Sequence, residues 1–166
     1  VTGVAGQQGE EGHAAVLGLM TFHRNGYVRH EAVRQLSKLN DGSELNFLLI
    51  RQNDWVKQIA ADAQAAVTDR LATADALLLE ESLEIILHLA SLKRYDHGEI
   101  ITKAIDVLLR EDSAEVLGRV VHSPSRNVRR QIVRRGLEKT GDHHARLVPL
   151  GIDSEDAVIR LACCRH

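Results

Sequence analysis

Six arginines and no acid fall between Val116 and Leu137 (VLGRVVHSPSRNVRRQIVRRGL). Arg126, Arg130 and Arg134 stand four apart, so on a helix that turns Val128 and Ile132 toward a core they share the opposite, solvent-facing side. A stripe of guanidinium groups can grip carboxylates or phosphates through paired N–H donors. Arg160 lies close behind in the chain and extends the candidate partner-binding set. The same letters also suit a solvated helix face balanced elsewhere by Glu80, Glu81 and Glu84. Arg135 falls nearer the core side, where its stem can lie along apolar surface.

Other residue types that could do chemistry lack the necessary pattern. The chain has nine histidines, but His30-Glu31 is its only His-Glu dipeptide. His143 and His144 are neighbours in a polar turn, with rings expected to point apart, and no set has the spacing of zinc ligands. Neither a glycine-rich phosphate loop nor a nucleophile elbow is present. Cys163 and Cys164 are adjacent, a poor geometry for a mutual disulfide. One is expected buried and the other near the surface. No catalytic residue, metal or cofactor is therefore expected.

Composition narrows the elements that must carry these side chains. With 44% hydrophobic residues, 3% aromatics and two prolines in 166 residues, the chain suits helices better than a sandwich or barrel. A net charge of −2 provides no long-range positive field for nonspecific nucleic-acid binding. No segment is apolar for long enough to span a membrane. With so little cysteine, a cytoplasmic location is expected. The Gly-rich stretch 1–12 reads as a disordered or linker-like tail.

An internal repeat organises the rest. Laying Val28 over Val56 brings Leu17 over Leu45, Met20 over Leu48, Asn25 over Asn53, Tyr27 over Trp55, Arg29 over Lys57 and Ala32 over Ala60. The template moves on to Val128 and Val158. A longer pair between them carries the period without the letters, with Leu79, Leu83, Ile86 and Leu87 on one stripe and Ile100, Ile101, Ala104, Val107 and Leu108 on its partner's. About five helix pairs result, over 13–40, 43–70, 75–111, 113–139 and 143–166. A fixed period near ~30 residues is the signature of stacked repeats. In the clearest copy Ser43 is expected to cap a first helix bearing Leu45, Leu48 and Leu49, and a second helix buries Val56, Ile59, Ala60, Ala63 and Val67. So few residues follow Val158 that the last stripe lacks a cap, so the chain is expected to be a fragment of a longer protein.

The segments NDWVKQIAADA at Asn53 to Ala63 and NGYVRHEAV at Asn25 to Val33, with looser copies SRNVRRQIV and EDAVIRLAC, resemble the HEAT-repeat family. The resemblance covers roughly Ala14 to His166. Gly26 and Arg126 depart from it where Asp54 and Asp156 carry the turn acid, and Ile159 interrupts the basic position. It implies an all-α, right-handed α-solenoid of about five antiparallel helix pairs, used most often as a non-catalytic scaffold for proteins or peptides. Arg29, Lys57 and Arg129 are expected to reach Asp54 or Asp156 as a structural ladder, while Trp55 and Tyr27 are expected to pack over a neighbouring turn, with a binding contact as the second reading.

The expected partner is a protein or peptide of acidic character, met by Arg126, Arg130, Arg134 and Arg160. Nucleic acid ranks behind it, because the equivalent outward positions of the second copy are read as Asp54, Gln58 and Asp62, which would repel a phosphate backbone. An enzyme whose catalytic groups lie outside this chain is the third reading. No membrane or small-molecule substrate is inferred.

Overall fold

In the computed structural model the backbone is described over residues 4–166 and the side chains from Gly12 onward. Of the stretch 1–12 expected as a tail, residues 1–3 lie outside the described residues, and from Val4 the backbone is helical. The all-α reading holds: among the described residues every regular element is helical. In chain order these are α1 (Val4–Met20), α2 (Gly26–Leu36), α3 (Leu45–Arg51), α4 (Lys57–Thr73), α5 (Ala76–Leu89), α6 (Gly98–Leu108), α7 (Ala114–Val121), α8 (Arg126–Glu138), α9 (His144–Ile152) and α10 (Ala157–Cys163). A single 3-10 turn, Glu111–Ser113, precedes α7. Among the described residues no helix is long and apolar enough to cross a membrane.

The helices belong to two compact units. The first takes the chain up to Thr73 together with Leu92–Tyr95, and the second takes Ala74–Ser91 with Asp96–His166. In the first unit α2 packs on α1, α3 and α4, and α3 packs on α4. Leu36, Leu45, Leu48, Leu49, Ile59 and Leu71 are fully buried there. These are the positions that recur at helical spacing, so burying one stripe of each helix makes the core. In the second unit α8 packs on α5, α6, α7, α9 and α10. Its buried side, Val128, Ile132, Val133 and Leu137, is the apolar complement of the arginine stripe.

Short polar side chains set the helix starts. Asn25 Oδ1 accepts the Tyr27 N–H, Asp75 Oδ1 the Leu77 N–H and Asp156 Oδ1 the Val158 N–H, each satisfying a donor that the first turn leaves open. Ser43 does not cap α3, contrary to expectation. Its hydroxyl turns back to Asp41, and Glu44 occupies the N-cap position without a side-chain cap bond. Gly42, at φ 92°, lets the chain turn sharply just before it.

Helix starts also correct the repeat register. Counted from the residue preceding each helix (Asn25, Val56, Ser125, Asp156), the fourth residue on is Arg29, Ala60, Arg129 and Arg160. One residue earlier stands the apolar column: Val28, Ile59, Val128 and Ile159. In this register α4 starts three residues later than the match of Val56 to Val28 implied, and α10 one residue later than the match of Val158. Val56 and Val158 are accordingly exposed, at 38% and 52%, while Ile59 and Ile159 are buried. The Ile159 that looked like an interruption is a core residue.

Candidate functional site

In the first unit, Arg29 and Asp54 meet in a buried, two-bonded ion pair: Nε lies 3.0 Å from Oδ2 and Nη2 3.2 Å from Oδ1. The Arg29 Nη1 group also donates to the carbonyls of His23 and Arg24. Asp54 in turn accepts the Val56 N–H at 2.9 Å and a second guanidinium, that of Arg51, at 3.1 Å. One aspartate thus fixes the turn before α4 and receives an arginine from α2. Burial alone would raise the Asp54 pKa, but Arg29, the Val56 N–H and Arg51 together hold it below the ordinary carboxylate value. Burial lowers that of Arg51.

The second unit repeats the arrangement. Arg129 donates through Nη1 to the carbonyls of Ser123 and Pro124, the same two offsets as in Arg29, and through Nε to Asp156 at 3.2 Å. Asp156 caps α10 as well. Arg160 makes the carbonyl half of the same motif, with Nη1 2.8 Å from the Ser154 oxygen. Lys57 does not join the set: it is exposed in the first turn of α4 and pairs with no acid among the described residues. The late start of α4 puts Ala60 at the arginine position instead.

Arg130 corrects the solvent stripe. It crosses to Asp156 with Nε at 2.8 Å and Nη2 at 2.7 Å, and its side chain is only 29% exposed. The Arg130 hydrogen bonds pull the Asp156 carboxyl far below its usual range, with Val158 N–H and Arg129 adding to the effect. Arg126 remains exposed, and Arg134 is exposed with a 2.8 Å hydrogen bond to Gln131 and a loose 3.9 Å ion pair to Glu138. Arg119 is taken up by Glu80 and Glu115. The stripe that stays open to a partner is therefore Arg126 and Arg134, with Arg160 exposed on α10.

Asp54 and Asp156 are buried rather than outward, at 5% and 8% exposure. Asp62, the other acid counted on the outer face, is 2.7 Å from the Nε2 of His30. Of the acidic face read for the second copy, Asp54 is thus withdrawn by its two arginines, and Asp62 stays half-exposed beside His30.

A feature the sequence reading missed lies in the first unit. An open cleft of about 500 Å³ is lined by Phe22, Arg24, Arg51, Trp55 and Arg94, with the Arg29–Asp54 pair also on its wall. Trp55 is 70% exposed instead of packing over a turn, and Tyr27 is 87% exposed. The Arg29 guanidinium lies 5.5 Å from the Trp55 ring centroid, and that of Arg51 lies 4.7 Å from Phe22's, two cation–π contacts. Arg94 donates to the Asn53 carbonyl at 2.6 Å, and Tyr95 donates to that of Asp54. The legible signal was Trp55 beside Asp54. What hid the rest was that Arg24 and Arg94 come from separate turns and Arg51 from the end of α3.

Chain comparison with models of known protein families finds no match, and comparison with curated proteins finds none.

Cys163 is buried, its thiol pKa raised by burial, and Cys164 is exposed. The rings of His143 and His144 do not diverge; they meet edge-on with centroids 4.8 Å apart, and the His166 ring is 5.7 Å from that of His144. Among the described residues no group of three or more potential ligands is placed to hold a metal ion.

Proposed function

We propose that this chain is a HEAT-like α-solenoid segment serving as a non-catalytic interaction scaffold, and that its second helices present side chains to an acidic protein or peptide. The observation that carries this reading is the recurrence of one device in both units: an arginine in the second turn of a helix, two carbonyls just before that helix, and an aspartate that starts a later helix. Repeated local fastening of this kind suits an architecture stabilised by neighbour-to-neighbour contacts, in which the outward faces are held rigid. Rigid presentation lowers the ordering cost of binding.

On this reading Arg126 and Arg134 are the contact residues on α8, with Arg160 on α10. Arg130 acts as a positioning residue through Asp156. Both Arg126 and Arg134 are exposed with guanidinium donors to spare, which suits carboxylates on a partner.

An array of acidic, neutral and basic peptides tests the proposal. Retention of acidic peptides, lost in R126E/R134E with an unchanged circular dichroism spectrum, is the expected result. Equal retention by the variant, or no preference for acidic peptides, would contradict it.

A further inference from the structure

The cleft of the first unit is not used by the scaffold reading, and its chemistry is specific. It carries four guanidinium groups, those of Arg24, Arg29, Arg51 and Arg94, against the one carboxylate of Asp54. That carboxylate is bracketed by Arg29 and Arg51, so it faces inward and does not repel an incoming anion. Arg24 is exposed and pairs with no acid among the described residues, and Arg94, also exposed, spends one N–H on a carbonyl. Two cations are therefore open to an anionic ligand.

The rings define the rest of the ligand. Trp55 and Phe22 each have a guanidinium of Arg29 or Arg51 against them, yet they remain 70% and 54% exposed. A ring steadied in this way offers its exposed surface to a second planar group, and such a platform takes any nucleobase. A cleft of about 500 Å³ accommodates one nucleotide and is too small for a duplex. Carboxylates of an acidic peptide would satisfy Arg24 and Arg94 but would leave the rings without a stacking partner.

We infer that this cleft binds a nucleotide unit, with the base stacked on Trp55 and the phosphate held by Arg24 and Arg94. Arg29 and Arg51 are positioning residues: tied to Asp54, they hold the rings in place and complete the positive field. The inference does not depend on the arginine face of α8, which lies in the other unit.

Trp55 is the only tryptophan in the chain, so fluorescence excited at the red edge, where the two tyrosines do not absorb, reports on this cleft. The full chain is titrated with AMP, with an eight-nucleotide single-stranded oligonucleotide, with inorganic phosphate and with an octaglutamate peptide. Saturable quenching by AMP or the oligonucleotide, weakened about tenfold or more in R24A/R94A, is expected. R24A alone, which removes no ion pair among the described residues, should show part of that loss and guards against a folding defect. Equal affinity per site for AMP and the oligonucleotide assigns a free nucleotide, whereas tighter binding of the oligonucleotide assigns a single strand. No quenching by either at millimolar concentration, binding unchanged in R24A and R24A/R94A, or octaglutamate binding as tightly as the oligonucleotide would overturn the inference.

Discussion

Arg29 on α2 and Asp54, in the turn before α4, share two hydrogen bonds at 3.0 and 3.2 Å and are almost fully withdrawn from solvent. Because the Asp54 pKa is lowered in the folded state, the unfolded chain binds the extra proton first as pH falls. The stabilisation is complete above the ordinary aspartate value of about 3.9 and is lost as pH drops below it toward the folded value. D54N keeps an oxygen for the Val56 N–H but loses the charge. Acid titration of stability by urea unfolding should therefore show a steeper loss below about pH 4 in the wild type than in D54N.

Asp156 serves two arginines and one helix start, so removing it does more than removing either arginine. In D156A the amides of α10 should exchange with deuterium about tenfold faster than in the wild type, through the lost cap and the two freed guanidiniums. R130A should have a smaller effect, since Arg129 still reaches the same carboxylate. Equal exchange in D156A and the wild type would show that the cap and the pairing do not hold α10.

Fully buried Glu44 pairs with half-buried Arg70 at 2.6 Å, and Arg70 also donates to the Ser37 carbonyl. Leaving either charge alone inside is costly. E44A should lower unfolding free energy by about 3 kcal/mol, while E44M/R70M should recover much of that loss. Chemical denaturation of the two variants checks both statements.

Lys57 occupies the place in the letters that Arg29 has, yet it is exposed and outside the Arg–Asp device. K57A should change stability by less than about 0.5 kcal/mol, against a much larger loss for R29A. A large effect of K57A would mean that the register taken from the helix starts is wrong.

Much of this was legible where one stripe of a helix decided the outcome. Leu45, Leu48 and Leu49 on α3, and Val128 with Ile132 on α8, recur at helical spacing and are buried. The reach of Arg29 and Arg129 toward acids in later turns was also readable, because a turn acid follows each of them, 25 and 27 residues on. Register was not. Asn53, Asp54 and the Val56 that follows all suit a helix start, and only packing of Ile59 and Ala60 into the core selects the later one. Arg130 was placed outward by helical phase, but a flexible side chain beside an unsaturated carboxylate turns toward it. The Trp55 cleft was the least legible, since Arg94 joins it from more than forty places away in the sequence: its bond to Asn53 spans 41 residues.

The recurring Arg–Asp fastening is the central claim, and a double-mutant cycle on Arg29 and Asp54 tests it most directly. R29A, D54A and the double variant are compared with the wild type by urea unfolding. A coupling energy of at least about 1 kcal/mol is predicted, because the two groups share a buried, two-bonded contact. Losses that add to within about 0.3 kcal/mol would contradict the account: the pair would then be a bystander, and the helices would be held by their apolar stripes alone.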